Sequence, residues 1–342
     1  SMEKVLIKGK NSESTILIGE SIDNLTNYIP SKQVYIITDQ NVNILYEQHF
    51  PNFPKYVIVT GEDSKNLASL VKIYQWLLES GADRNSFVVG IGGGVVSDIA
   101  GFVASTFMRG ISFGFVATTL LSQVDASIGG KNGVNLDNYK NIIGTFNLPK
   151  FVICDISMLK TLSGVELSDG FAEMIKHCLI ASFSDFEFME QNADKLIKCD
   201  IETITPLLAR SIQIKADIVN NDEKETGLRK TLNLGHTWGH AIEKTTNLSH
   251  GHSVSLGLEF AARLSHKREL ITHRDYMRLV GLLRSFNLPV CYNVDRSEVF
   301  DALTKDKKKN GSVIDFIFLN GLGSVIIEKI SFDELKKFVF EK

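Results

Sequence analysis

Cysteine is scarce in this chain. Only four occur among 342 residues, Cys154, Cys178, Cys199 and Cys291, widely spaced and without a C-x-x-C pair. That pattern argues against a disulfide scaffold and against a thiolate metal site. The four read instead as small buried hydrophobes of a reducing compartment. An excess of one charge is also missing: the net charge is -3, which leaves no electrostatic footprint for nucleic acid. The longest apolar run, Phe87–Met108, is interrupted by a cluster of glycines and by Asp98, so it reads as strand, turn and helix and not as a membrane span. Ser1, Met2, Glu3 and Lys4 begin no secretion signal, and a cytoplasmic protein is expected. Internal repeats and low-complexity segments are lacking too. What is present is an ordinary globular composition, 44% hydrophobic and 23% charged, in a chain long enough for two cores.

The first half alternates between two periods. Val34–Thr38, Tyr56–Thr60, Phe87–Gly90, Phe113–Ala117 and Phe151–Asp155 are short apolar runs that read as buried strands. Between them, Asn66–Ser80 repeats apolar residues at helical spacing and stops at Gly81, a good C-terminal cap. A second helix runs from the glycine cluster through Ala104. Such alternation predicts a parallel sheet flanked by helices, with ligands at the carboxyl ends of the strands.

Gly90-Ile91-Gly92-Gly93-Gly94 lies between a strand and a helix. Glycines there let backbone N–H groups approach a pyrophosphate at a helix N-terminus, although tight packing would call for them equally well. Asp39 is placed to meet a ribose hydroxyl, and Glu62 and Lys65 lie on the same edge, unless they merely form a charge pair at a helix start. Ser122–Asn141 is long, polar and glycine-containing, carrying Asp125, Lys131, Asn135, Lys140 and Asn141. It reads as a ligand-binding loop suited to a phosphorylated, polyhydroxylated molecule, with a solvated hairpin as the alternative.

From about Ser157 the pattern turns helical, which suggests domains of 1–156 and 157–342. Val165–Ala181, Leu207–Val219, His252–Leu270, Asp275–Phe286 and Ser331–Phe340 read as helices, and Phe316–Leu319 with Val325–Ile327 as a small hairpin. Four of eight histidines fall within Arg229–His252. His236 and His240 stand four apart on one helical face, and His250 and His252 follow in an expected loop, so two or three imidazoles can meet a divalent cation. Glu173, a carboxylate on a mostly apolar helix, is the best candidate for an oxygen ligand; a plain surface pair with Lys176 is the rival reading. The run Asp306-Lys307-Lys308-Lys309 is a solvated turn or an anion-binding loop.

Taken together, GEDSK, GIGGGVVSDIAGF, FMRG, ATTLLSQVDASIGGKNGVN, YKNIIGTF, DGFAEMIKH, DEKETGLRKTLNLGHTWGHAIE and the His-Gly at His250 resemble the 3-dehydroquinate synthases of the sugar phosphate cyclase family. The resemblance runs from Thr38 to Gly323. It implies an α/β N-terminal nucleotide-binding domain, Rossmann-like, a mainly α-helical C-terminal metal-binding domain, and a site in the cleft between them. It also implies an NAD- and zinc-dependent carbon–oxygen lyase (cobalt being a possible substitute) that converts 3-deoxy-D-arabino-heptulosonate 7-phosphate into 3-dehydroquinate and phosphate. The implied metal ligands are Glu173, His236 and His250, which makes His240 an active-site histidine and not a ligand. Implied substrate contacts are Asp125, Lys131, Asn141, Lys176, Lys215, Arg229, Asn233, His240 and either Lys307 or Lys308. Arg109 would reach the site of a neighbouring subunit, hence a homodimer. The implied NAD positions are Asp39, Asn41, Glu62, Lys65, Gly93, Gly94, Val95, Asp98, Thr118, Thr119, Leu121, Lys131, Lys140 and Thr161. One departure stands out: His252 occupies the place after His250-Gly251 where the family usually has glutamate. Another cyclase of the same family, of the 2-deoxy-scyllo-inosose or valiolone type, and a metal-dependent polyol dehydrogenase are the alternatives. Only the dehydrogenase would accumulate NADH.

Overall fold

The computed structural model describes residues 2–221, 227–307 and 311–341. The chain divides into two compact units, Ser1–Leu162 with Ile204–Ala216, and Ser163–Thr203 with Asp217–Lys342.

The first unit contains β1 (Glu3–Lys8), β2 (Glu13–Ile18), β3 (Val34–Asp39), α1 (Gln40–Tyr46), β4 (Lys55–Ile58), α2 (Leu67–Glu79), β5 (Phe87–Gly92), α3 (Gly94–Thr106), β6 (Ser112–Ala117), β7 (Lys131–Leu136), β8 (Tyr139–Phe146) and β9 (Phe151–Cys154). Seven strands form one sheet in the order β1-β2-β9-β6-β5-β3-β4. All neighbours are parallel except β1 and β2. β5 and β9 are buried at every residue, which is why they read as unbroken apolar runs: helices cover both faces of a parallel sheet. β1, where Val5 and Ile7 are buried in alternation, and β2, buried at four of its six positions, are strands that the sequence reading did not name. The strand expected at Tyr56–Thr60 is shifted to Lys55–Ile58. Gly81 does cap α2, with φ of 81° and N–H groups of Ser80, Gly81 and Ala82 returning to the last turn.

The expected binding loop over Ser122–Asn141 is corrected. Its first part is a π-helical turn, Ser122–Ala126, and its second part belongs to the antiparallel hairpin of β7 and β8. The polar residues misled because this hairpin's outer strand has no half-buried face to alternate against: β8 is exposed at six of its eight positions.

The second unit contains α4 (Gly164–Ala181), α5 (Phe183–Ile197), α7 (His236–Thr245), α8 (His250–Lys267), α9 (His273–Ser285), α10 (Arg296–Lys307), the hairpin β10 (Val313–Leu319) and β11 (Val325–Ser331), and α11 (Phe332–Phe340); α6 (Ile201–Asn220) contributes residues to both units. α6 starts earlier than expected, with Pro206 inside it. Ser331 caps α11 as anticipated, accepting from Glu334 N. His250 and His252 lie in no loop. Ser249 is the N-cap and both histidines belong to the first turn of α8.

Candidate functional site

In the first unit the sheet order places β6, β5 and β3 side by side, so the residues at their carboxyl ends come together. Asp39 ends β3 and its side chain accepts the N–H of Val42, capping α1. Gly92 ends β5 and pairs with Ala117 at the end of β6. Thr118 follows and donates its N–H to Gly92 O at 3.0 Å. The glycine run serves two purposes. A Cβ at Gly92 would lie 2.6 Å from Val96 Cγ2, and one at Gly90 2.9 Å from Ala100 Cβ, so these two are glycine because strand and helix touch. At Gly93 and Gly94 the nearest atoms would be 3.2 and 3.3 Å away, a much milder demand. Gly93 is the N-cap of α3 and brings no capping side chain, so the helix start presents bare backbone, the arrangement that holds a pyrophosphate.

Beside that turn, Lys65 Nζ lies 2.5 Å from Asp98 Oδ2, with side chains 6% and 19% exposed. Burial pushes the Asp98 carboxyl up, to about 6, against the pull of Lys65. Glu62 accepts from Asn135 Nδ2 at 3.1 Å, and Asn135 N donates to Lys65 O, which fastens the hairpin to this edge. Thr119 bonds Ser122 through its hydroxyl, and half-buried Val95 and Leu121 flank the turn. Asn41 is exposed and its N–H reaches Thr60 Oγ1. Thr161 Oγ1 meets Tyr46 OH at 2.6 Å.

Asp125 and Lys215 form an ion pair of 2.5 Å, and Lys215 also donates to Asp125 O. Lys131, Lys140 and Asn141 are exposed along the β7–β8 hairpin, and Asn141 is held at φ 54° with its N–H on Asn135 Oδ1. Arg109 is exposed in a turn where Met108, Arg109 and Gly110 all have positive φ, a conformation that costs energy at two non-glycine residues.

In the second unit the expected ligands converge. Glu173 is fully buried on α4 and Lys176, one turn later, is 1% exposed, so the surface-pair reading fails. Lys176 Nζ lies 2.5 Å from Glu173 Oε2. The other carboxylate oxygen faces two imidazoles: His250 Nε2 at 2.9 Å and His236 Nε2 at 3.7 Å. That second distance is too long for a hydrogen bond, and His236 Nε2 is buried without one. Burial opposes ionisation of Glu173, but Lys176 and the two imidazoles outweigh it and hold the carboxyl well below its usual range. Burial and Lys176 push His236 down. A buried carboxylate oxygen with two imidazole nitrogens beside it, at 2.9 and 3.7 Å, one of them without a hydrogen-bond partner, is a donor set of the type that suits a divalent cation such as zinc.

Backbone packing aims these groups. A Cβ on Gly257 would fall 1.8 Å from Gly235 O, so α7 and α8 touch at backbone level. Asp169 Oδ1 accepts from Ser249 Oγ and Gly251 N, fastening the start of α8 to α4. His252 Nε2 bonds Ser168 Oγ at 3.1 Å. The His240 ring centre lies 4.6 Å from that of His236, the rings tilted by 45°; burial and that neighbour lower it to about 4, which makes it a neutral proton acceptor and not the near-neutral titrating group its ordinary value suggests. Lys307 at the end of α10 is half-buried and its charge is felt at His240; Lys308 lies outside the described residues. Arg229 and Asn233 are exposed on the 3-10 turn Leu228–Asn233. Glu243 was missed. It accepts from His250 Nδ1 at 2.9 Å, and its signal was the spacing 236, 240, 243, which is one helical face.

Two family models match in succession, 3-dehydroquinate synthase N-terminal over residues 55–169 and 3-dehydroquinate synthase C-terminal over residues 170–309. A 3-dehydroquinate synthase of Alkaliphilus metalliredigens is 37% identical over 99% of both chains, and one of Acinetobacter baylyi is 40% identical over 94% of this chain and 93% of its own. Among solved structures, a 2-deoxy-scyllo-inosose synthase complexed with carbaglucose-6-phosphate, NAD+ and Co2+ superposes with a TM-score of 0.87 at 24% identity, covering 99% of this chain and 100% of its own. The 2-epi-5-epi-valiolone synthase of Streptomyces hygroscopicus, with NAD+ and Zn2+ bound, gives 0.87 at 23% identity over 97% of each chain. At these identities the likeness establishes the fold, a dinucleotide-type sheet unit with a largely helical second unit. Matched from end to end by relatives well above a third identical, and by both halves of the family's own models, the chain belongs to the 3-dehydroquinate synthase family.

Proposed function

We propose that the protein is a carbon–oxygen lyase that converts 3-deoxy-D-arabino-heptulosonate 7-phosphate into 3-dehydroquinate and phosphate, using NAD and a divalent cation, zinc by preference and cobalt in its place. The observation that carries the reading is the buried Glu173 carboxylate with the His236 and His250 nitrogens at 3.7 and 2.9 Å from one of its oxygens. NAD supplies a hydride acceptor that is restored within the cycle, and the cation lowers the pKa of a substrate hydroxyl.

The chain's residues do the rest. Gly93, Gly94 and Val95 offer the start of α3 to the pyrophosphate, while Asp39, Asn41, Glu62, Lys65, Asp98, Thr118, Thr119, Leu121, Lys131, Lys140 and Thr161 complete the dinucleotide contacts. Glu173, His236 and His250 hold the cation. Lys176 offsets the charge of Glu173, and with Lys131, Arg229 and Arg109 of a second copy it favours charge building on the departing phosphate. Asp125, Lys215, Asn141, Asn233 and Lys307 or Lys308 orient the hydroxyls and carboxylate of the substrate. His240, neutral at working pH, accepts and returns a proton. A homodimer is supported by the apolar side chains exposed on β8, Phe146 at 80%, Tyr139 at 67% and Ile142 at 59%. A cytoplasmic location is supported by the cysteines: all four lie among the described residues and none forms a disulfide. No helix among the described residues is long and apolar enough to cross a membrane.

The test is phosphate release from the heptulosonate phosphate with NAD and zinc present and no net build-up of NADH. Absence of turnover rejects the reading, and accumulating NADH favours a dehydrogenase. The second reading, cyclisation of another sugar phosphate, rests on the fold shared with the two synthases and predicts turnover only with its own substrate.

A further inference from the structure

We propose that Glu243 is a positioning residue of the metal centre, fixing the ring orientation and tautomer of His250 so that Nε2 is presented as a lone pair to the cation. The proposal rests on the reading of Glu173, His236 and His250 as ligands. His250 is the first residue of α8 and its side chain is 29% exposed, so packing alone does not hold the ring. Its two nitrogens are instead held from opposite sides: Nδ1 lies 2.9 Å from Glu243 Oε2 and Nε2 lies 2.9 Å from Glu173 Oε1. A neutral imidazole has one donor and one acceptor nitrogen. Glu243 and Glu173 both only accept, so without a cation each nitrogen carries a hydrogen; a cation at Nε2 would take the place of the hydrogen there, while Glu243 keeps the one on Nδ1 and so fixes the ring and its tautomer.

The placement of Glu243 is specific. His236, His240 and Glu243 are spaced four and three apart on α7, which puts all three on one face. One helix therefore contributes a ligand of its own and the group that aims a ligand from the next helix. Glu243 is 22% exposed, and its charge also acts on His240. A pair this shielded is not a solvated surface bridge of negligible worth.

The test uses the full chain and zinc itself, with affinity measured by competition against a chelating indicator. Wild-type protein that takes up no zinc would reject the ligand reading, not this one. Given wild-type binding, Glu243→Ala should raise the zinc Kd about 10- to 100-fold. Glu243→Gln keeps an oxygen that accepts the Nδ1 hydrogen and should stay within about threefold of wild type. The melting temperature without zinc should hardly change in either variant, while the rise on adding zinc should shrink in Glu243→Ala alone. Unchanged affinity in Glu243→Ala overturns the proposal, as does a Glu243→Gln protein as weak as Glu243→Ala. Should Glu243→Ala fail to fold, Glu243→Gln decides: near wild-type affinity upholds the proposal and a loss of about tenfold or more overturns it.

Discussion

The two units offer candidate sites of different kinds. Around Gly93 and Gly94 the first unit offers backbone: a helix start without a side-chain cap, at the end of a fully buried strand. Around Glu173 the second unit offers side chains alone, drawn from α4, α7 and α8, with the carboxylate fully buried and the imidazoles partly so. A backbone site tolerates change wherever the N–H groups and the glycine geometry survive. A buried side-chain site does not, because every charge in it depends on another for its desolvation.

Glu173→Ala should break the second site most severely. It removes the proposed ligand and the 2.5 Å ion pair to buried Lys176, so turnover should fall by about 10³-fold or more and stability by about 3–5 kcal/mol. Metal analysis and thermal melts check both, and NAD binding by the first unit should persist. Gly257→Ala strikes the same site through its scaffold. With a Cβ 1.8 Å from Gly235 O, α7 and α8 must separate, at about 3 kcal/mol, and zinc affinity should fall with stability in the same preparation.

The first unit should respond more gently. The folded-state pKa of Asp98 is raised to about 6, so between its ordinary value and that point the folded state binds the extra proton. Stability attributable to Asp98 is then lost as pH rises through this window and is level above it. Relative to Asp98→Asn, wild type should lose about 2 kcal/mol between pH 4 and pH 7 in urea melts; a parallel pair of curves would show the carboxyl to be ionised already at pH 4. Gly94→Ala should weaken NAD about tenfold while leaving the melt within about 1 kcal/mol of wild type, whereas Gly92→Ala, 2.6 Å from Val96, should lower the melt as well. If both changes acted alike, the glycines would serve packing only. The smallest effect is expected for His252→Ala, which loses one bond to Ser168, about 1 kcal/mol of stability.

The alternation of β3, α2, β5, α3 and β6 was legible because each element is specified by its own neighbours: apolar runs, the Asn66 cap, the Gly81 stop, the glycine turn. The helical pair His236 and His240 was legible for the same reason. The β7–β8 hairpin was legible only as the alternative to a loop, since an outer strand exposed at most positions carries no alternating pattern to read.

Sequence by itself determined the periodicities, the caps and which residue types were available, because those depend on interactions a few residues long. Only the tertiary structure decided which of them meet. Glu173 and His250 are 77 positions apart and 2.9 Å from each other; Lys176 reads as half of a surface pair until α4 is seen to be buried there; and Glu243 acquires a role only because Gly257 lets two helices touch. Contacts between distant segments are set by how faces pack, which no local pattern encodes.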